Sequence, residues 1–172
     1  MEVASFSKAP DADRIGYRAA TPADHDFIQG TLLNHYYEES FWAQRLTTRI
    51  FFDGHTPLVK GLLYRAHAHV ACERDDPTAL LGFVLFEPSV MDSRDLTPLT
   101  PNVLDFLYVK KSWRGLGIGR LLFSSTGFPE DLQGVHVTFA TKAWFTTKNQ
   151  KGLEERFKAR YNPYLQWRAI AA

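Results

Sequence analysis

The chain has 172 residues, 45% of them hydrophobic and 23% charged, with a formal net charge of +1 at pH 7. This composition is ordinary for a soluble globular protein, and the length suits one domain with a substantial core. No apolar run is long enough to cross a bilayer, and the polar segment 1–13 predicts a flexible arm rather than a signal peptide. Cys72 is the only cysteine, which excludes an internal disulfide and favours a cytoplasmic location.

Charge is distributed unevenly along the chain. Residues 1–100 hold 9 Lys or Arg against 14 Asp or Glu, whereas residues 101–172 hold 11 against 5. The C-terminal part therefore attracts a polyanionic ligand and the N-terminal part a cationic one, unless the asymmetry is a chance distribution. No dense basic run is present, which disfavours nucleic acid as a partner, and no membrane partner is expected.

The first half of the chain alternates strand and helix patterns. Residues 15–20 predict a short strand, and the pair Thr21-Pro22 predicts the start of a helix. A second such pair, Thr56-Pro57, predicts the start of another helix. Strand patterns at 66–73 and 79–87 then flank an Asp-Asp-Pro turn. Residues that share one face of the first helix at helical spacing are Phe27, Ile28, Thr31, Leu32 and His35.

The second half of the chain opens with a Pro-rich loop at 87–102, followed by a strand rich in branched and aromatic residues at 103–110. The order of elements predicts an α/β fold without internal repeats or a dividing linker. The elements predicted after this strand are a helix at 118–125, a strand at 134–141, a helix at 149–161 and a last strand at 164–170.

Three glycines, Gly115, Gly117 and Gly119, separate the strand at 103–110 from the helix that follows. Glycine costs backbone entropy, so it is favoured where the backbone turns tightly or approaches another group closely. Amides at a helix N-terminus bind phosphate, and Arg114 and Arg120 add positive charge. The spacing matches neither the dinucleotide fingerprint nor the P-loop. A phosphate site is the favoured interpretation, and a plain tight turn is the alternative.

The segment LYVKKSWRGLGIGRLLF resembles motif A of the GCN5-related N-acetyltransferases (GNAT). In that family a strand ending in hydrophobic-x-Val leads into R/Q-x-x-G-x-G/A and an apolar helix. Val109, Arg114, Gly117 and Gly119 stand at those places. The resemblance implies a single GNAT-like α/β domain at 14–172, with a mixed, mostly antiparallel sheet of six to seven strands and about four helices.

The same resemblance implies that acetyl-CoA binds as the acyl donor, with no metal. Its pyrophosphate would lie on the loop amides, and its pantetheine arm would pair with the preceding strand. Asn149 and Gly152 fit a second, looser part of the family pattern, but Arg156 stands where a Tyr is usual. The positions that the resemblance implies for coenzyme binding are Leu107, Tyr108, Val109, Arg114, Gly115, Leu116, Gly117, Ile118, Gly119, Arg120 and Asn149.

Acetyl transfer to an alkylamine needs a base, because such an amine has a pKa near ~10. Asp105 is the candidate base, since strand alternation puts it on the face of Val109. The alternative is a structural Asp held by backbone amides or an Arg. Tyr161 and Tyr164 are candidate acids for the leaving thiolate, with aromatic packing as the alternative, and the Val109 amide is placed to polarise the carbonyl.

Two further patterns have weaker functional interpretations. His67 and His69 share one strand face, which suits a metal, although no third ligand is near in sequence. The segment NHYYEESFW joins aromatic residues to Glu38 and Glu39, which suits a cationic amine. Packing of the aromatics beside solvated glutamates is the alternative.

The sequence thus predicts an acetyl-CoA-dependent N-acetyltransferase that acts on a primary amine of a small molecule or protein. The chain also loosely resembles phage- or prophage-encoded members of this fold, so a nucleobase-modifying enzyme of the phage Mom type is an alternative. A non-catalytic acyl-CoA-binding module is another. A homodimer stays open.

Overall fold

The computed structural model describes residues 12–95, 100–127, 134–142 and 158–167. A 3-10 helix at Ala12–Arg14 precedes the first strand. The strands are β1 Ile15–Ala19, β2 His67–Glu73, β3 Leu80–Glu87, β4 Val103–Val109, β5 His136–Val137 and β6 Arg160–Tyr161. The α-helices are α1 His25–Glu39, α2 Thr48–Arg65 and α3 Ile118–Ser125.

The six strands form one open sheet in the order β1-β2-β3-β4-β5-β6. Strands β1 to β4 pair in antiparallel fashion, and β4, β5 and β6 pair in parallel. The predicted α/β fold with a mixed, mostly antiparallel sheet is therefore confirmed. Strand β5 pairs with β4 only at Val103 and Leu104, so the two strands separate early.

Two apolar layers cover the two faces of the sheet, and strand β3 contributes to both. Phe83 and Leu85 pack with residues of α1 and α2, whereas Val84 and Phe86 pack with residues of α3. This alternation is the two-residue period of a strand, and here both faces are apolar because helices cover both. Strand β4 lies beside β3 and therefore runs between these same two layers.

Helix α1 begins as the Thr21-Pro22 pair predicts, after one 3-10 turn. Arg18 on β1 donates two hydrogen bonds to the carboxylate of Asp24, at 2.7 and 3.0 Å. The Thr21 amide donates to the same carboxylate at 2.7 Å. These donors, Arg18 foremost, lower the pKa of Asp24 to about 2. The start of α1 is thus tied to the first strand by a charged contact.

The predicted helix start at Thr56-Pro57 is wrong, because α2 begins at Thr48 and Pro57 lies inside it. The Thr47 hydroxyl accepts a hydrogen bond from the Ile50 amide and caps the helix. Pro57 removes one helical hydrogen bond, but Phe51 and other residues of the preceding turns are buried in the core. Tertiary packing thus outweighs the local start signal.

The last predicted strand, 164–170, is wrong over its described residues, because Pro163–Trp167 forms a 3-10 helix; residues 168–170 lie outside the described residues. Proline lacks an amide hydrogen and fits the first turn of a helix better than a sheet. The last described strand is β6, which lies where the predicted helix 149–161 would end. Residues 149–157 of that predicted helix lie outside the described residues.

The predicted strand at 134–141 is confirmed only at His136–Val137, where β5 pairs with both neighbours. Three α-helices occur in the described part of the chain, and the predicted fourth falls mostly on residues outside it. None of the helices described is long and apolar enough to cross a membrane.

Candidate functional site

The loop between β4 and α3 turns through two glycines with positive φ. The φ angles are +84° at Gly115 and +78° at Gly117, the N-cap residue that precedes α3. L side chains rarely adopt this conformation, so the turn requires glycine at both positions. A Cβ added at either glycine would meet nothing within 4 Å, so the outer surface of the loop is open. The predicted tight turn is present, and it leaves room for a ligand.

Backbone amides at the start of α3 face this open space. The first helical bond runs from the Leu121 amide to the Gly117 carbonyl at 3.0 Å. The helix therefore offers no acceptor to the amides before Leu121, and its dipole favours an anion there. Arg114 and Arg120 are exposed beside the loop, and Arg114 Nε donates to the Val109 carbonyl at 2.9 Å. This arrangement can bind a phosphate group.

The edge of β4 that faces away from β3 continues from this loop. The Lys110 amide donates to the Leu81 carbonyl at 2.8 Å, so the amides of Leu107 and Val109 point toward the opposite edge. Strand β5 pairs with that edge only as far as Leu104, and the Phe139 amide then donates to the Asp105 carbonyl. Among the described residues, no strand pairs with the edge beyond that point. An extended ligand can add to such an edge as a strand does.

Gly82 sets the distance between β3 and β4, and sequence reasoning missed it. A Cβ at Gly82 would lie 2.4 Å from the Tyr108 carbonyl oxygen and 3.2 Å from the Val109 Cα. Any side chain there would push β4 away from β3. The signal in the sequence was a glycine inside an otherwise apolar strand pattern, which indicates a close backbone approach.

Asp105 is fully buried at the point where β4 and β5 separate. The Thr138 hydroxyl donates to its carboxylate at 2.8 Å, and the Phe139 amide donates to its carbonyl at 3.3 Å. The carboxylate thus lies at the mouth of the gap between the two strands. Its assignment as the base stays a prediction.

Tyr161 and Tyr164 lie in different surroundings. Tyr161, on β6, is half-buried; burial and the nearby Tyr36 hydroxyl raise its pKa. It also borders a cavity of about 450 Å³. Tyr164 is 85% exposed on the last 3-10 helix. Gln166 joins α1 to the segment after β5, because its Nε2 donates to the Tyr36 hydroxyl at 3.2 Å and to the Thr138 carbonyl at 2.6 Å.

A cavity of about 420 Å³, the α1 groove, lies between α1 and the side chain of Tyr108. His35 lines it, with ring centroids 6.1 Å from Phe106 and 5.2 Å from Tyr108. Burial, and after it the charge of Arg114, lowers the pKa of His35. Its imidazole is therefore neutral at pH 7. The lining residues are Asp26, Phe27, Gly30, Thr31, Asn34, His35, Glu38 and Tyr108.

The predicted apolar face of α1 divides between the core and this groove. Ile28 and Leu32 are fully buried in the core, whereas Phe27, Thr31 and His35 line the groove. Sequence reasoning assigned all five positions to one face and missed the groove. The available signal was the adjacent row of residues at every fourth position from Asp26, which carries no apolar side chain.

The other candidate positions form no such site. His67 packs against the Phe86 ring, and His69 Nδ1 lies 3.3 Å from the Ser125 hydroxyl. Among the described residues, no three His, Cys, Asp or Glu side chains are close enough to hold a metal ion. Asn149 and Gly152 lie outside the described residues.

Solved structures share this architecture over most of the chain. A possible acetyltransferase from Clostridium difficile 630 aligns with a TM-score of 0.54 at 22% identity, over 86% of this chain and 93% of that one. A provisionally assigned acetyl transferase from Pyrococcus furiosus aligns with a TM-score of 0.59 at 18% identity, over 85% and 94%. This chain has the GNAT fold. The GNAT family N-acetyltransferase YhbS from Escherichia coli, in complex with CoA, aligns more weakly, with a TM-score of 0.43 at 21% identity, over 66% and 54%.

Neither a protein-family model nor a curated protein sequence matches the chain, so the likeness is one of structure. The sequence resemblance to GNAT proteins is thus confirmed at the level of the fold. Within the GNAT fold, the residues that match motif A lie on β4, the glycine loop and the start of α3.

Proposed function

We propose that this protein is an N-acetyltransferase that transfers an acetyl group from acetyl-CoA to a primary amine. The observation that carries the proposal is the left-handed turn at Gly117, which exposes amides of α3 at the end of β4 in a GNAT fold. The similar proteins from C. difficile and P. furiosus are both named as acetyltransferases, which supports the same class of reaction here.

The donor side of the proposal rests on the glycine loop. The pyrophosphate of acetyl-CoA would accept hydrogen bonds from amides between Gly115 and Arg120, next to Arg114. The pantetheine arm would pair with the free edge of β4 at Leu107–Val109. The open space at the loop and the outward amides fit these groups, and Asn149 as a further contact stays a prediction.

The reaction forms a bond between the amine nitrogen and the thioester carbon, and the carbon–sulfur bond breaks. An outward amide of β4 would donate to the carbonyl oxygen as charge develops on it. One nitrogen proton would pass to Asp105, directly or through the Thr138 hydroxyl that donates to it. Tyr161 would protonate the leaving thiolate, since its raised pKa keeps the phenol protonated at neutral pH. Exchange with solvent then restores both groups.

One observation favours a second candidate, the non-catalytic acyl-CoA-binding module. Asp105 is fully buried and Tyr164 is 85% exposed, and these surroundings disfavour direct proton transfer by either residue. Tyr164 as the acid, a cytoplasmic location, a homodimer and a phage or prophage origin stay predictions.

Two measurements on the full chain separate the candidates. Calorimetry with acetyl-CoA measures binding, and release of free CoA thiol in the presence of a panel of amines measures transfer. We expect binding together with amine-dependent release. Binding without release for any amine supports the binding module, and an absence of binding overturns both candidates.

A further inference from the structure

The α1 groove is long and straight because one helix lines it over three turns. Asp26, Gly30, Asn34 and Glu38 follow one another at intervals of four residues along the groove. At 1.5 Å per residue, the backbone positions of Asp26 and Glu38 lie about 18 Å apart. Gly30 lies between them, and a Cβ there would meet nothing within 4 Å, so the middle of the groove is open. The shape suits an extended chain.

The charge along the groove is negative at both ends. Asp26 lies near one end and Glu38 near the other, and the described residues that line the groove include no Lys or Arg. Lys110 lies 5.3 Å from the centroid of the Phe27 ring and lines the neighbouring cavity instead. Two separated carboxylates suit a ligand with two separated positive charges.

The middle of the groove is compatible with a cationic or aliphatic chain. Phe27 and Tyr108 present aromatic rings to it, and such rings attract ammonium groups and methylenes. His35 adds no charge at neutral pH, because burial and Arg114 lower its pKa. Asn34 adds polar atoms on the same row.

The Glu38 end of the groove is the end nearer the proposed chemistry. The Lys142 amide donates to the Glu39 carbonyl at 2.7 Å, and the rings of Tyr36 and Phe139 lie 5.1 Å apart. These contacts join the C-terminal end of α1 to the segment after β5 that also contacts Asp105.

We propose that the α1 groove binds the acceptor, and that the acceptor is a linear aliphatic amine with a second positive charge at its far end. This inference rests on the proposed function. The nitrogen at the Glu38 end is the one acetylated, and the distal cation binds near Asp26. The nitrogen loses one proton and gains the acetyl group, and CoA leaves as the thiol. The distal nitrogen remains charged throughout.

The test compares amines of different length and charge on the full chain saturated with CoA. Calorimetry measures binding of spermine, putrescine and hexylamine. We expect spermine to bind about fivefold more tightly than hexylamine, the effect of one additional ion pair, and putrescine to be too short to gain it. Equal affinity for spermine and hexylamine overturns the proposal.

A pair of glycine substitutions supplies the matched control. Gly30→Gln fills the groove and is expected to weaken spermine binding about tenfold or more, without a change in acetyl-CoA affinity. Gly54→Gln, on α2, also places its side chain in open space and is expected to change neither affinity. Spermine affinity that is unchanged in Gly30→Gln overturns the proposal.

Charge substitutions keep the test decisive if Gly30→Gln fails to fold. Asp26→Asn is expected to weaken spermine binding about two- to fivefold and to leave hexylamine binding unchanged, whereas Glu38→Gln weakens both. The opposite pattern overturns the orientation proposed here.

Acetyl transfer is measured in parallel, so that failure of the groove proposal can be distinguished from failure of the proposed function. Groove-dependent spermine binding without acetylation of any amine overturns the proposed function and supports the groove as an amine site. Acetylation of a lysine peptide but not of spermine supports the function and overturns the groove inference.

Discussion

Strand β4 has two sides that are built in different ways. On the α3 side, the proposed donor site consists of backbone: two left-handed glycines, the first amides of α3 and a free strand edge. On the α1 side, the groove consists of side chains, with carboxylates, an imidazole and aromatic rings. A backbone site is general for any ligand with the same phosphate and amide groups. The side chains of the groove are particular to this chain, so the identity of the acceptor has to be inferred from these residues.

The largest expected effect falls on the residue at the boundary between the two sides. Asp105→Asn keeps the shape of the side chain but cannot accept a proton at neutral pH. Turnover is expected to fall about 10²–10⁴-fold, with little change in acetyl-CoA affinity. The loss should shrink as the pH rises, because the amine then deprotonates without help. Steady-state kinetics across pH, with Asp53→Asn on the exposed face of α2 as control, provides the measurement.

A near-normal turnover with an unchanged pH profile would exclude Asp105 as the base. A variant with a strongly lowered melting temperature and normal specific activity would instead support the structural interpretation, since the buried Thr138 contact would then be its main role.

The second largest effect is expected on acetyl-CoA affinity, from a substitution in the proposed donor site. Gly117→Val places a side chain where the pyrophosphate is proposed to bind, and acetyl-CoA affinity is expected to fall about 100-fold, the loss of two charge-assisted hydrogen bonds. The valine also strains the backbone, because φ is +78° at this position. Gly127→Val carries the same kind of strain, with φ of +68° and open space, at the other end of α3. Calorimetry that shows equal losses in both variants would contradict a phosphate site in the loop.

A smaller effect is expected on the stability of the fold when the charged contact at the start of α1 is removed. The pKa of Asp24 is lowered from 3.8 to about 2, so its contact with Arg18 stabilises the fold above pH 4 and is lost as the pH falls from 4 to 2. The contribution is about 2 kcal/mol. Asp24→Asn should therefore be less stable than the natural chain at pH 7 and equal to it near pH 2. Urea unfolding at several pH values measures this, and a constant difference between pH 7 and pH 2 would contradict the assignment.

The smallest effect concerns the charge of His35. Protonation would place a cation in the α1 groove, where Arg114 already opposes it and Glu38 and Glu39 favour it. Since its pKa is lowered, the imidazole is neutral at pH 7 and gains charge only under acid conditions. Spermine affinity is then expected to fall about fivefold once the pH lies below the lowered pKa of His35. His35→Asn should remove most of that dependence and His25→Asn should keep it; the same slope in both variants would contradict the role of His35.

The donor side could be predicted from the sequence because its geometry is local. The turn, the helix start and the strand end all lie within a few residues of Gly117, and glycine spacing reports backbone conformation directly. The groove could not be predicted, because it depends on how α1 lies across β4. His35 has the spacing of a core residue, and only its position over Tyr108 shows that it lines a cavity.

The same distinction explains the errors in the fold. Alternation and composition predict strands β1 to β4, whereas propensity predicts a helix start at Pro57. Burial of Phe51 and its neighbours extends α2 to Thr48. This burial depends on tertiary contacts, which local sequence propensity does not predict. At the C-terminal end, the side chain of Gln166 makes two buried hydrogen bonds with distant partners, and these favour a turn over the predicted strand.

The contact between Gln166 and Tyr36 joins residues that are 130 positions apart. Closing so long a loop costs entropy that local pairing does not, so contacts of this kind form late in folding. During synthesis, α1 and strands β1 to β4 leave the ribosome well before Gln166 does. A nascent chain can therefore form the glycine loop and the antiparallel part of the sheet first. The buried polar contacts between α1, the segment after β5 and the last turn form only after Gln166 has left the ribosome.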